Sequence, residues 1–142
     1  MAFQKIKGLL TDGWTSRFFH LHPLGDLYTR YAAPQFAKNT VDKDAIELTI
    51  RPQSPFRLHR VEANLDDTPT DTENFTVTLD SVHGSAYDTV LLSIDLAAAS
   101  AADLVRTFGQ GFEFEEGDEI DIAYANTGDD TISIRAVYEL LQ

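Results

Sequence analysis

Four histidines are the side chains of this 142-residue sequence best suited to binding a transition metal. His20 and His22 flank one leucine, so their imidazoles lie on the same side of an extended chain, whereas His59 and His83 stand apart. Zinc sites draw on closely spaced His, Cys or Glu ligands, and neither an HExxH nor a CxxC spacing is present. We therefore predict no metal ligands and assign His20 and His22 to polar contacts in an interface.

Carboxylates form three short runs, at residues 66–67, 113–119 and 129–130. The EF-hand spacing is missing, and a catalytic acid needs surroundings that raise its pKa, which a solvated acidic turn does not supply. We interpret Glu115-Glu116-Gly117-Asp118 as a turn between strands with solvated charges. A calcium ion held by acidic loops stays open as an alternative.

Nucleophilic catalysis has no recognisable motif in this sequence. Serines and histidines occur, but no GxSxG elbow and no phosphate-binding glycine loop, and residues 81–85 read as a turn. We predict no catalytic residues, no cofactor and no enzymatic activity.

Period-two alternation dominates the chain from about residue 44 onward and predicts half-buried β-strands. It is clear in residues 46–50 and in residues 75–79, and a further strand is predicted at about residues 89–96. Residues 56–65 begin in alternation and then slip phase at Arg60-Val61, which predicts a β-bulge. Residues 120–124 and 132–138 alternate on either side of a Gly-containing loop, which predicts a hairpin.

One stretch, residues 95–106, allows two interpretations. Its alanines favour a helix, and Ser100 to Asp103 resembles a capping box. Leu104, Arg106 and Phe108 fit strand pieces around the Gly109-Gln110-Gly111 break better, so we favour loop and strand.

About seven short strands separated by turns predict an all-β fold, an antiparallel β-sandwich of jelly-roll or immunoglobulin-like topology. Alternating strands and helices, the sign of a parallel α/β fold, are absent from the pattern. The topology of the sandwich is left open between these two.

Charge divides the chain into two parts. The whole carries a formal charge of −12, which disfavours nucleic acid and anionic membranes as partners. Residues 1–43 hold six basic and three acidic side chains, whereas residues 44–142 hold five basic and twenty acidic ones. We predict an extended N-terminal arm at 1–43 and a β-sandwich domain at 44–142, with the arm steered to an acidic surface of its own or a neighbouring copy.

The arm is rich in aromatic residues, without a sustained helical or strand period. Disordered segments are usually poor in aromatic residues, so we expect the arm to become ordered in grooves, either of a partner or of its own sandwich. The predicted interaction residues are Trp14, Phe18, Phe19, His20, His22, Tyr28, Tyr31 and Phe36.

Residues 79–81 (LDS), 84–88 (GSAYD) and 117–127 (GDEIDIAYANT) carry a family resemblance. With the strands and turns around them, about residues 45–140, they resemble small structural proteins of tailed viruses of bacteria and archaea. The resemblance implies a non-enzymatic virion component, assembled in the host cytoplasm: a capsid decoration or cement protein, or another head-associated protein.

The partners that this resemblance implies are other virion proteins, namely major capsid or neighbouring structural subunits, with homo-oligomers expected. No nucleic acid, membrane or cofactor is expected. The alternatives are a tail- or fibre-associated module and a carbohydrate-binding or adhesive β-sandwich, although the lone Trp14 lies in the arm and weakens the carbohydrate alternative.

Overall fold

Eight strands make up the part of the chain that the computed structural model describes, residues 33–141. They are β1 (Gln35–Asp42), β2 (Ile46–Ile50), β3 (Phe56–Leu65), β4 (Asn74–Asp80), β5 (Thr89–Asp95), β6 (Asp103–Phe114), β7 (Glu119–Tyr124) and β8 (Thr131–Leu140). A 3₁₀ turn, Ser85–Tyr87, lies between β4 and β5. No helix in this range is long and apolar enough to cross a membrane.

The strands form two four-stranded sheets. Sheet A has the order β1-β8-β3-β6 and sheet B the order β2-β7-β4-β5, and neighbouring strands pair antiparallel. The pairs β4–β5, β3–β6, β2–β7 and β1–β8 are nested, because each pair joins the two strands that flank the previous pair in the sequence. Successive pairs alternate between sheet B and sheet A. This arrangement is a jelly roll. The predicted antiparallel β-sandwich is thereby confirmed, and the strand order selects the jelly roll over the immunoglobulin-like topology.

The hydrophobic core lies between the sheets and is built from the apolar half of each alternating strand. The two sheets contribute large side chains that exclude solvent almost completely. They include Ile46, Phe56, Leu58, Val61, Phe75, Val77, Ile120, Ile122, Ile132 and Ile134.

The predicted bulge in β3 is present, but it lies at His59, one residue before the predicted Arg60-Val61. Leu58 pairs with Tyr138 of β8 and Arg60 with Val137, so His59 is the extra residue between them. On the other side Leu58 pairs with Phe112 and Arg60 with Thr107, so residues 108–111 of β6 are also looped out. The strand interpretation of residues 103–114 is therefore correct, and residues 96–100 form an isolated turn.

The predicted hairpin of β7 and β8 is wrong. β7 lies in sheet B between β2 and β4, and β8 lies in sheet A between β1 and β3, so the loop after β7 crosses from one sheet to the other. Alternation identified both strands correctly, but their partners come from strands far away in the sequence, because only those pairings bury both apolar faces.

The sandwich begins inside the segment that the sequence assigned to the arm. The compact unit starts at Pro34, and β1 pairs along its whole length with β8. The inward-facing residues of β1 are Ala37, Asn39 and Val41, and Asn39 is polar. The alternation of apolar and polar residues is therefore weak, and the strand is held in place by its hydrogen bonds to β8.

Candidate functional site

Phe36 is the one predicted interaction residue that falls within residues 33–141. It lies on the outward face of the edge strand β1, 58% exposed, directly opposite Val137 of β8. The other seven lie outside the described residues: Trp14, Phe18, Phe19, His20, His22, Tyr28 and Tyr31.

The outer face of sheet A, on which Phe36 lies, carries paired charges. Glu62 Oε1 accepts a hydrogen bond from Arg60 Nε at 2.6 Å, and Glu62 Oε2 accepts one from Arg135 Nε at 2.6 Å. Partial burial of Glu62 acts to raise its pKa, but the two guanidinium groups outweigh it, and the pKa of Glu62 is lowered.

A second cluster of paired charges lies nearer the start of β3. Arg57 contacts Glu113 of β6 on one side and Glu139 of β8 on the other, with 2.6 Å between its Nη1 and Glu139 Oε1. The hydrogen bond to Glu113, opposed by desolvation and supported by the charges of Glu113 and Glu139, raises the pKa of Arg57. His59 Nε2 lies 3.5 Å from the other oxygen of Glu139. The arginines of this face are thus neutralised within the domain.

A shallow depression of about 320 Å³ crosses all four strands of this face. Polar side chains form part of its lining: Thr40 Oγ1 and Ser133 Oγ are 3.0 Å apart, and Asn64 Nδ2 donates to Asp103 Oδ1 at 2.6 Å. The exposed side chain of Val105 borders it on the β6 side. We refer to this depression together with Phe36 as the sheet A surface.

The outer face of sheet B has a different charge distribution. Asp80, Glu119 and Asp121 each place a carboxylate oxygen within 4.8 Å of the others. Arg51 Nη1 lies 3.3 Å from Glu119 Oε2, and Thr49 Oγ1 donates to Asp121 Oδ1 at 2.8 Å. Two of the three carboxylates therefore already have a partner from the protein.

A larger group of carboxylates lies at one end of the sandwich, where the loop after β3 meets the loop after β7. Asp66 N donates to Thr131 O, and Thr131 N donates to Asp66 Oδ1 at 2.9 Å, which brings these loops together. We call this group the loop cluster; it comprises Asp66, Asp67, Asp71, Glu73, Asp129 and Asp130.

The loop cluster raises two pKa values. Burial, followed by the negative charges of Asp66, Asp67, Asp71 and Asp129, raises the pKa of Asp130. Burial of Tyr124, followed by the charges of Glu73, Asp130, Asp71 and Asp95, raises the pKa of Tyr124 to about 12. Like charges therefore accumulate around a largely buried phenol.

Asn126 anchors the second loop of the cluster. It is 2% exposed, and its Nδ2 donates to the backbone oxygens of Asp44 at 2.9 Å and Asp130 at 2.8 Å. Within residues 33–141, its Oδ1 is buried and has no hydrogen-bond partner, and the same is true of Glu73 Oε2. Neither residue stands out in the sequence, because nothing in a polar loop pattern distinguishes a buried amide from a solvated one.

The interpretation of residues 115–118 as a solvated turn is wrong for Asp118, which is 5% exposed. Its carboxylate accepts hydrogen bonds from Val82 N and Glu115 N, both at 2.9 Å. The turn needs a buried acceptor because it brings backbone N–H groups of two loops inward. His83, from the same end of the domain, contacts Glu115 at 3.0 Å.

Comparisons with known proteins give structural matches only. No protein-family model and no curated protein matches the sequence. The acid-stable capsid structure of Helicobacter pylori bacteriophage KHP30 aligns with 78% of this chain and 90% of its own, at 14% identity and a TM-score of 0.46. The Yersinia pseudotuberculosis-derived mitogen aligns with 78% of this chain and 87% of its own, at 12% identity and a TM-score of 0.41.

The structure of tomato aspermy virus aligns with 87% of this chain and 95% of its own, at 11% identity and a TM-score of 0.31. Two of these three structures are therefore viral and one is a bacterial mitogen. Because all three TM-scores are below 0.5, the jelly-roll assignment rests on the strand order of this chain.

Proposed function

We propose that this protein is a non-enzymatic virion structural protein, a capsid decoration or cement protein or another head-associated protein. It binds neighbouring subunits through its N-terminal segment and is located in the virion after assembly in the host cytoplasm. The observation that carries the proposal is the exposed Phe36 on edge strand β1, next in sequence to the aromatic-rich segment 1–32.

The chemistry of the sheet A surface supports a protein partner. Its charges are compensated by the pairs that Glu62 and Arg57 form, so covering it leaves few unpaired charges to desolvate. Phe36 and Val105 add exposed apolar area, and aromatic side chains flanked by arginines are typical of the centre of protein interfaces.

Charge supports a role for the N-terminal segment in assembly. Residues 1–43 carry a balance of +3 and residues 44–142 one of −15, so the segment of one copy is attracted to the sandwich of another. Aromatic side chains in partner grooves dominate interface energies, and the segment supplies Trp14, Phe18 and Phe19.

The test compares the full chain with a chain lacking residues 1–32 during virion assembly. The deletion ends before β1, so the ladder between β1 and β8 is kept. We expect the shortened chain to keep its far-ultraviolet circular dichroism and to be lost from purified particles. Quantitative immunoblotting measures incorporation, and cryo-electron microscopy locates the full chain.

Two point variants refine this test, Trp14→Ala and Phe18→Ala in the full chain. Both should reduce incorporation while leaving the free energy of unfolding of the sandwich nearly unchanged. Equal losses of incorporation and stability would indicate that the segment covers its own sandwich. Purified virions that contain no full-length chain would rule out the virion role itself.

A further inference from the structure

We propose that the loop cluster is a Ca²⁺ site, in which carboxylates of Asp71, Glu73 and Asp130 and the amide oxygen of Asn126 surround the ion. The proposal rests on buried oxygens without partners and on two carboxylates that converge beside Gly128. It is independent of the virion role.

The first observation is an accumulation of negative charge that no cationic side chain of residues 33–141 compensates. The loops 66–73 and 125–130 contain six carboxylates and no Lys or Arg. Among residues 33–141, no Lys, Arg or His forms an ion pair with any of these six. Arg57, Arg60 and Arg135 of sheet A, by contrast, are paired with acids. Bringing six acids together costs free energy unless a cation binds among them.

The second observation is a pair of orphaned buried oxygens. Glu73 uses Oε1 to accept a hydrogen bond from Thr127 N at 2.9 Å, whereas its Oε2 is buried without a partner among residues 33–141. The hydrogen bond from its amide nitrogen to Asp130 O holds Asn126 beside Asp130, and Oδ1 of the same amide is likewise buried without a partner in this range. Buried acceptors are satisfied in most proteins, and an ion is one of the few partners that can satisfy both of these.

The third observation is the space beside Gly128. A Cβ added to Gly128 would lie 3.1 Å from Asp71 Oδ2 and 3.3 Å from Asp130 Oδ2. The two carboxylates therefore approach Gly128 from different loops, on the side where any other residue would carry its Cβ. A cation between the two oxygens would contact both after small side-chain movements.

The ligand set selects the chemical class of the ion. Both loops offer carboxylate and amide oxygens and contain neither His nor Cys, which disfavours zinc and copper. Ca²⁺ accepts six to eight oxygens in flexible geometry, whereas Mg²⁺ demands a near-ideal octahedron and retains water. Two facing loops with several carboxylates fit Ca²⁺ better.

The acidic group on sheet B serves as the internal control. Asp80, Glu119 and Asp121 place carboxylate oxygens within 4.8 Å of one another, but Arg51 and Thr49 already bind two of them. None of their oxygens is buried without a partner among the described residues. This group carries no proposal.

The experiment measures thermal unfolding of the full chain in EDTA and in 1 mM CaCl₂ or MgCl₂ at matched ionic strength. We expect Ca²⁺ to raise the melting temperature by about 5 °C, as saturating binding to the folded state requires, and Mg²⁺ to raise it less. Asp71→Asn and Asp130→Asn should lose the Ca²⁺ shift. In EDTA the same variants should melt higher than the wild type, because each removes a repelling charge.

Gly128→Ala tests the site without changing any charge. Its Cβ enters the point where the two carboxylates converge, so it should abolish the Ca²⁺ shift, while Asp80→Asn should keep it in full. An unchanged wild-type melting temperature in Ca²⁺ would overturn the proposal. So would a shift that persists in both Asp71→Asn and Asp130→Asn, or one that Asp80→Asn abolishes.

Discussion

The buried carboxylate of Asp118 accepts a hydrogen bond from the backbone N–H of Val82, with 2.9 Å between Oδ1 and N. Its Oδ2 accepts another from Glu115 N at 2.9 Å, and Ser81 Oγ lies 3.4 Å from Oδ1. One side chain therefore satisfies donors of both the β4–β5 and β6–β7 loops. It fixes the end of the sandwich opposite the loop cluster.

Asp118→Ala should lower the free energy of unfolding by about 3 kcal/mol, because it leaves two inward backbone N–H groups without an acceptor. Asp88→Ala is the matched control. Asp88 also accepts from the loop backbone, from Ser81 N at 3.0 Å, but it is exposed, and water can replace it. We expect a loss of about 1 kcal/mol or less there. Urea unfolding measures both, and equal losses would contradict the bridging role of Asp118.

Gly117 and Gly84 form a natural pair for separating backbone strain from steric clash. Their φ angles are +97° and +96°, yet a Cβ at Gly117 would lie 2.9 Å from Val82 Cγ2, and a Cβ at Gly84 would meet nothing within 4 Å. Gly84→Ala should cost about 1–3 kcal/mol from the backbone alone, because its φ of 96° and ψ of 170° lie in a region that essentially only glycine adopts. Gly117→Ala should cost more by the clash.

Val82→Ala provides the check on that difference. In a Val82→Ala background the side chain that clashes is gone, so the extra cost of Gly117→Ala over Gly84→Ala should disappear. Urea unfolding of the five variants, with Val82→Ala alone as the reference for the two doubles, measures this. A difference that persists in the Val82→Ala background would assign the extra cost of Gly117→Ala to something other than the contact with Val82.

Period-two alternation predicted the strands of this fold well, because each strand buries one face in a common core. Ile46, Leu48 and Ile50 show it most clearly. Strand β1 was not predicted from the sequence, because one of its inward-facing residues, Asn39, is polar and the other inward-facing residues are small. The order of the strands was equally out of reach, since the pairing of β1 with β8 depends on residues almost a hundred positions apart.

The loop cluster could not be predicted from the sequence either. Asp66-Asp67 and Asp129-Asp130 are visible as acidic pairs in the sequence, and solvated loops usually look the same. What distinguishes them is that two loops 60 residues apart meet at one end of the sandwich, with Asn126 and Glu73 partly enclosed between them. That juxtaposition follows from the jelly-roll winding, which only the whole chain specifies.

Glu62 makes the stability of sheet A dependent on pH. Its pKa is lowered from the ordinary value of 4.5, because hydrogen bonds from Arg135 and Arg60 outweigh its partial burial. The folded state therefore prefers ionised Glu62. The resulting stability is present above pH 4.5 and is lost as the pH falls through the lowered pKa in the folded state.

The corresponding variant is Glu62→Gln, compared with the wild type by urea unfolding between pH 3 and 8. We expect the wild type to be more stable by a constant amount at neutral pH, with the difference shrinking below pH 4.5. In an Arg60→Gln/Arg135→Gln background only the partial burial of Glu62 remains, which raises its pKa, so the difference should no longer shrink on acidification. A difference that grows on acidification would have the wrong sign for a lowered pKa.

Phe36 belongs both to the described sandwich and to the proposed assembly surface. Because its side chain is exposed, the effect of a substitution on stability can be separated from its effect on incorporation into particles. At 58% exposure, Phe36→Ala removes little buried area, so it should change the free energy of unfolding by less than about 1 kcal/mol. If the sheet A surface is covered in the particle, the same substitution should reduce incorporation at least tenfold, because anchoring aromatic residues carry 2 kcal/mol or more.

Tyr87→Ala is the matched control, an aromatic residue that is 64% exposed but lies in the β4–β5 loop. It should leave incorporation unchanged. Incorporation assays on purified particles and urea unfolding of the free protein measure the two effects separately. Equal losses of incorporation for Phe36→Ala and Tyr87→Ala would show that exposed apolar area matters in general and would remove the assignment of the interface to sheet A.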